Sequence, residues 1–428
     1  MIIKPMVRNN ICLNSHPAGC AASVRRQIEY AKKTLAHEDN ANAPKLVLVI
    51  GCSNGYGLAS RIAAAFGYGS ATVGVSREKA ATENHTATPG FYNNLVFDKE
   101  AAKAGLVSKS LDGNAFSDEM KTETAQAIRE AAAAAKLPAK IDLIVYSLAS
   151  PVRTDPKTGV MYKSVIKPIG APYSGRTLDM MSGTFITASA EAATEEEIFN
   201  TVKVMGGEDW ELWMEALANE GLLSPDTRAV AYTYLGPELS WPIYRHGTIG
   251  KAKEDLERAC REINKKFFSA GTSAEAEGRR FPSGNGGMPP NGRAWISVNK
   301  ALVTRSSAVI PIIPFYVSVL FKIMKEQGLH EGCIEQIARL YQDKLFRPGC
   351  TDKAAVPTDT DGRIRIDDWE MREDIQWAVY ETMEKTTPET VLANTDILGF
   401  RHDFLEAHGF DVAGIDYSAD VDLSGEGI

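Results

Sequence analysis

Tyr244, Lys251 and Lys253, in the stretch GPELSWPIYRHGTIGKAKEDL from Gly236 to Leu256, are the side chains of this sequence best placed to do chemistry. A phenol beside an ammonium group on the wall of a nucleotide pocket can supply a proton or stabilise a forming oxyanion. On one continuous helix Lys251 would share the face of Tyr244, and Lys253 would point roughly the opposite way. Gly247 and Gly250 argue against an unbroken helix, since each costs about 1 kcal/mol in a helix interior. The expectation is a loop carrying Tyr244, then a helix with Thr248 as N-cap that buries Ala252, Leu256, Ala259, Ile263 and Phe267. Both lysines flank that apolar stripe at similar angles, so periodicity does not choose between them. Taken alone, the motif reads more readily as a surface tyrosine with two solvated lysines.

The elements that would position such a pair are legible upstream. Residues 45–50 (KLVLVI) form an apolar, β-branched run, as expected of a strand buried in a parallel sheet, and lead into Gly51-Cys52-Ser53-Asn54-Gly55-Tyr56-Gly57. Helical apolar spacing follows over 58–66. Strand, glycine turn and helix make the first half of a dinucleotide fold, in which bare backbone approaches a pyrophosphate at a helix N-terminus. The pattern G-x-x-x-G-x-G is the form associated with short-chain dehydrogenases and reductases. A second strand, 71–75, ends at Ser76-Arg77-Glu78. Glu78 lies where an acid grips the adenosine ribose hydroxyls and favours NADH, whereas Ser76 and Arg77 suit a 2′-phosphate. Two more strand ends fit the same sheet. One leads into Asp112-Gly113-Asn114-Ala115, suited to the adenine edge. The other, 141–146, leads into Ser147-Leu148-Ala149-Ser150, small enough for close approach to the nicotinamide ribose.

Order and wording go beyond a generic dinucleotide fold. The chain resembles the trans-2-enoyl-CoA reductases and the related type V enoyl-acyl-carrier-protein reductases. The likeness rests on MIIKPMVRNNIC, HPAGC, VIGCSNGYG, DGNAFSDEM, VYSLASPVRTDPKTG and KVMGGEDWELW, then on AYTYLGPE, HEGCIEQ, RIRIDDWE and GFDVAGIDY, across nearly the whole length. The resemblance implies an α/β fold: a doubly wound, Rossmann-type parallel sheet with added N-terminal strands and a helical substrate-binding portion. It places the proton donor of a Tyr-x8-Lys motif on Tyr244, its partner on Lys253 and a substrate-contacting tyrosine on Tyr234. It assigns cofactor contacts to Gly51, Cys52, Ser53, Asn54, Gly55, Tyr56, Arg77, Glu78, Asn114, Ala115, Leu148, Ala149, Lys253, Leu302, Val303 and Thr304. The implied reaction is reduction of the 2,3 double bond of an enoyl thioester of coenzyme A or acyl carrier protein, with NADH as donor. Many relatives carry an aromatic residue where Arg77 stands, which opens the site to NADPH. Residues 271–293 look longer than the usual connection and read as a mobile surface loop.

Composition is that of an ordinary enzyme. With 428 residues, 44% of them hydrophobic, the chain can bury a large core. The cofactor motifs run from Gly51 to Thr304, so one elaborated unit is expected: an extension over 1–44, a dinucleotide-binding core over 45–305 and a helical portion over 306–428. A net charge of −8 without a sustained basic run argues against nucleic acid or a stable membrane partner. Six scattered cysteines suggest free thiols in the cytoplasm, and a monomer or weak dimer is the expected state. The apolar run 308–321 is too short to span a bilayer; it is a buried core helix, an acyl-channel wall, or both. The seven histidines show no ligand spacing, so neither metal nor flavin is expected. Two other functions fit part of the pattern. A short-chain carbonyl reductase would need Tyr-x3-Lys, but Thr248 stands where that lysine would be. A non-catalytic dinucleotide sensor would not need the intact Tyr244 and Lys253.

Overall fold

Leu46–Ile50 is the central strand (β1) of a seven-stranded parallel sheet, and all five of its side chains are buried. Val47 and Val49 face one helical layer, while Leu46, Leu48 and Ile50 face the other. A strand covered on both faces must be apolar throughout, which is why KLVLVI shows no alternation. The computed structural model describes residues 1–8, 11–35, 40–268, 292–305, 310, 313–347 and 355–428.

The other sheet strands are β2 (Ala71–Ser76), β3 (Ser108–Asp112), β4 (Leu143–Tyr146), β5 (Arg228–Thr233), β6 (Arg293–Val298) and β7 (Ile364–Arg365). Their spatial order is β7-β6-β5-β4-β1-β2-β3, with every neighbour parallel. The order reverses between β1 and β4, so the carboxyl ends of those strands open a crevice there. Helices α1 (Pro17–Leu35), α2 (Gly55–Ile62) and α3 (Pro89–Lys103) cover one face. The second face is covered by α4 (Asp118–Ala134), by Glu208–Asn219, which contributes Trp210 and Trp213, and by α5 (Thr248–Ile263). This is the doubly wound α/β arrangement expected from the sequence.

A third apolar cluster lies beside the sheet around α6 (Ile313–Glu326), with Glu373–Lys385 and Ile397–Glu406 packed on it. Its side chains from Ile313 to Phe321 are buried. The N-terminal residues add a small hairpin, Val7–Arg8 with Ile11–Cys12. The connection read as a mobile loop falls almost entirely on 269–291, outside the described residues. Cys12, Cys20, Cys52, Cys260 and Cys333 are free thiols; Cys350 lies outside the described residues.

Candidate active site

A cavity of about 1350 Å³ opens at the carboxyl ends of the strands. Its wall carries Gly51, Ser53, Asn54, Gly55 and Tyr56 after β1, Arg77 and Glu78 after β2, and Asn114 and Ala115 after β3. Leu148 and Ala149 follow β4, while Leu302, Val303 and Thr304 follow β6. The structure thus brings the predicted cofactor residues onto one wall. Cys52 departs from the set: its side chain is fully buried under the turn, with its Sγ toward Arg61 and Asn94, so only its backbone can face a nucleotide. The glycines are required by geometry. Gly51 has φ +89°, and a Cβ there would lie 2.3 Å from the Ser147 carbonyl oxygen. A Cβ on Gly57 would lie 1.8 Å from the Gly51 carbonyl oxygen, so the turn closes only with bare backbone.

Glu78 is held against the glycine turn. Ser53 Oγ donates to its Oε1 at 2.5 Å, the Thr88 hydroxyl donates to Oε2, and the Glu78 amide donates to Asp112 Oδ1 at 2.7 Å. The carboxylate is thereby fixed on the cavity wall, where it can accept from a ribose diol. Arg77 beside it is exposed.

Tyr244 lies in a turn, as expected, but Thr248 is not the N-cap. Gly247, with extended backbone, takes that place, and the Thr248 hydroxyl instead donates to the Val165 carbonyl at 2.5 Å. Gly250 sits inside the first turn of α5 because a Cβ there would lie 2.1 Å from the Arg245 carbonyl and 2.5 Å from that of Tyr244. The structure also separates the two lysines. Lys251 is exposed and paired with Glu254 at 2.8 Å. Lys253 lines the cavity, its Nζ donating to the Tyr232 carbonyl at 3.4 Å. Burial lowers its pKa to about 8.

Tyr244 is 8% exposed and packs in one apolar cluster with Leu302 and Val303. Among the described residues nothing accepts its hydroxyl hydrogen bond, and none joins it to Lys253. Burial, then the nearby charge of Glu370, raises its pKa and keeps the phenol protonated. Tyr234 meets it edge to face, ring centroids 5.0 Å apart. Neither tyrosine lines the large cavity; Tyr244 shares its apolar cluster with the wall residues Leu302 and Val303, and Tyr234 packs against that cluster. Sequence reasoning missed the group that holds Tyr234. Glu370, fully buried, accepts from Tyr234 Oη at 2.9 Å and Tyr316 Oη at 2.6 Å on Oε1, and from the Ala301 amide at 2.6 Å on Oε2. RIRIDDWE ends on this residue, but an acid among aromatics announces no partner without the fold.

Comparison with known proteins decides the family. Residues 85–278 and 286–346 match the model described as trans-2-enoyl-CoA reductase catalytic region. Residues 2–83 match the NAD(P)H binding domain of trans-2-enoyl-CoA reductase. The chain belongs to the trans-2-enoyl-CoA reductase family. It is 55% identical over 424 residues, 99% of both chains, to a protein of Treponema denticola named trans-2-enoyl-CoA reductase [NADH]. It is 50% identical over 98% of both chains to an enoyl-[acyl-carrier-protein] reductase [NADH] of Flavobacterium johnsoniae. A crystal structure of the Treponema denticola enzyme in complex with NAD superposes with a TM-score of 0.88, at 54% identity over 98% of each chain. The catalytic match breaks between residues 278 and 286, within the connection read as longer than usual in this family.

Residues 358–421 match a third model, described as an enoyl reductase FAD binding domain. From that stretch the large cavity receives Asp403, Phe404, Glu406, Ala407 and His408. Burial holds Asp403 at about 6 and the neutral His408 at about 4. A flavin dinucleotide carries an anionic pyrophosphate, which calls for amide donors or cations. The stretch itself offers carboxylates and a neutral imidazole, while the cations beside them on the cavity lining, Arg26 paired with Glu406 and Arg305 near His408, come from elsewhere in the chain. Among the described residues no group of His, Cys, Asp and Glu is arranged to hold a metal ion, and no helix is long and apolar enough to cross a membrane.

Proposed function

We propose that this enzyme reduces the 2,3 double bond of trans-2-enoyl thioesters to saturated acyl thioesters, with NADH as principal donor and without a flavin. The observation that carries the reading is Tyr244, a protonated phenol with no hydrogen-bond partner among the described residues, packed with Leu302 and Val303 of a nucleotide pocket that presents Lys253 from the next helix. Short-chain carbonyl reduction needs a lysine four residues after the tyrosine, and Thr248 there is engaged with Val165.

NADH bound along the wall from Gly51 to Thr304 supplies the hydride for the β-carbon. As charge moves onto the thioester carbonyl, the Tyr244 hydroxyl donates a hydrogen bond to that oxygen, and in its buried setting the bond is worth far more than in water. Lys253 holds the ribose hydroxyls and, as a cation, favours negative charge nearby. Tyr234, edge to face with Tyr244, contacts the substrate. Carbonyl compounds present the same oxygen without the conjugated β-carbon, so the assay that tests the reading compares crotonyl-CoA with acetoacetyl-CoA. Rapid NADH oxidation with crotonyl-CoA alone is expected, by a purified protein free of flavin absorbance and indifferent to added FAD. Turnover of acetoacetyl-CoA alone, or dependence on FAD, contradicts it.

Cofactor choice rests on Glu78, already fixed by Ser53 and Thr88, against the exposed Arg77. Glu78 repels a 2′-phosphate and accepts a diol, which selects NADH; Arg77 leaves measurable use of NADPH. The acyl chain lies toward the cluster around α6, and the carrier is coenzyme A or acyl carrier protein. The protein works in the cytoplasm as a monomer or weak dimer.

A further inference from the structure

A single buried carboxylate joins two parts of the site that the fold supplies from different places. Tyr234 follows β5, Ala301 follows β6, and Glu370 comes from the segment after β7. Glu370 is the acceptor for both, with Tyr234 on one oxygen and the Ala301 amide on the other. The next residue, Leu302, is on the cavity wall, and Tyr56 of the glycine turn also fixes this segment by donating to the Lys300 carbonyl at 2.9 Å. Tyr316 and Gln376 complete the carboxylate's surroundings: Gln376 Nε2 donates to Tyr316 Oη at 3.1 Å and to the Glu370 carbonyl at 2.7 Å.

Stability alone gives little reason for this arrangement. Taking a carboxylate out of water is expensive, and burial raises the Glu370 pKa. The charge of Lys300 offsets this in part, but Lys300 is itself buried with its Nζ on the Glu331 carbonyl at 3.4 Å and makes no ion pair with Glu370 among the described residues. Apolar packing would fill the same space at lower cost. What apolar packing cannot do is fix a phenol and a backbone amide in one rigid frame. The Tyr234 ring in turn sets the edge-to-face position of Tyr244.

The geometry points to Glu370 as a positioning residue of the reduction: its carboxylate locks Tyr234, and through it Tyr244, in register with the 301–304 backbone. This rests on the function proposed above. Glu370 touches neither substrate nor cofactor, and it acts on the distance and angle between the phenol and the reacting atoms. A misplacement on the order of 1 Å in such a frame costs about 100-fold in rate without weakening ground-state binding.

Glu370→Gln tests it, because the amide keeps the shape and loses the pattern. If its oxygen stays on the Ala301 amide, its NH2 faces the two phenol oxygens and turns the Tyr234 hydroxyl around. If it flips, two donors collide at Ala301. With crotonyl-CoA and NADH, kcat is expected to fall ten-fold or more while the Kd for NADH stays within three-fold of wild type. Tyr234→Phe is expected to give a comparable kcat loss, and the double variant to be no more than three-fold worse than the poorer single. Three results overturn the inference: Glu370→Gln within two-fold of wild-type kcat, losses that multiply in the double variant, or a matching loss of NADH affinity. If Glu370→Gln does not fold, Tyr234→Phe decides alone, since kcat within two-fold of wild type removes the residue through which Glu370 acts. Wild-type turnover of crotonyl-CoA, measured first, tests the underlying function separately.

Discussion

Two lysines two positions apart end in different environments, and that difference governs what each substitution does. Lys251 makes an exposed pair with Glu254, an interaction worth about 0–1 kcal/mol, so Lys251→Met should leave kcat within three-fold. Lys253 is enclosed in the cavity wall, and Lys253→Met should lose about 100-fold or more, as for removal of an oxyanion-stabilising group. The same burial sets a pH dependence. Burial favours the neutral amine, so with its pKa at about 8 Lys253 is a cation below that pH and loses its charge above it. The rate constant kcat/KM for NADH should therefore fall as pH rises through about 8, since it reports the free enzyme. Lys253→Arg, charged throughout, should remove that limb in whatever activity it retains; a limb unchanged in the arginine variant assigns it to another group. At the adenosine end, Arg77→Phe should raise the KM for NADPH and spare that for NADH, and Glu78→Ala should improve NADPH. NADPH turnover clearly above NADH at equal concentration in the wild type contradicts the assignment of NADH as principal donor.

At the scale of elements, glycines record where backbones meet. An alanine in a helix is ordinarily about 1 kcal/mol better than glycine. At Gly250 the sign should reverse, because the added Cβ would sit 2.1 Å from the Arg245 carbonyl and push on the turn that carries Tyr244. Gly250→Ala is expected to destabilise by about 1–3 kcal/mol in denaturant titration and to lower kcat; a stabilised variant shows that the turn adapts. β1, β2 and β4 were legible in the sequence because strands buried on both faces leave unbroken apolar runs, and because the glycine turn follows β1 directly; β5, β6 and β7 were not read. The start of α5 was misread by one residue, since a threonine before an apolar stripe looks like a cap until Val165, about eighty residues upstream, is seen to take its hydroxyl. Helical periodicity could not separate Lys251 from Lys253, which stand at similar angles to the stripe; only the neighbouring cavity does. Glu370 was illegible for the same reason, as its partners lie 54 to 136 positions away.

The molecule as a whole is tied together by its ends. Strands of one sheet come from all three matched stretches: β1 and β2 from 2–83, β3 to β6 from 85–346, and β7 from 358–421. The HPAGC segment packs against the chain near its C-terminus so closely that a Cβ on Gly19 would lie 1.7 Å from the Gly409 carbonyl. We expect a single cooperative calorimetric transition, and a chain ending at residue 357, lacking β7 and Glu370, should not fold to an NADH-binding form. The measurement that tests the central claim most directly is single-turnover reduction of crotonyl-CoA by the NADH-loaded Tyr244→Phe enzyme. The substitution removes only the hydroxyl that no described residue engages, so NADH affinity should stay within three-fold while the rate of NADH oxidation drops by about 100-fold or more. A rate within a few-fold of wild type would contradict the account, because the oxyanion would then be stabilised by a group other than Tyr244.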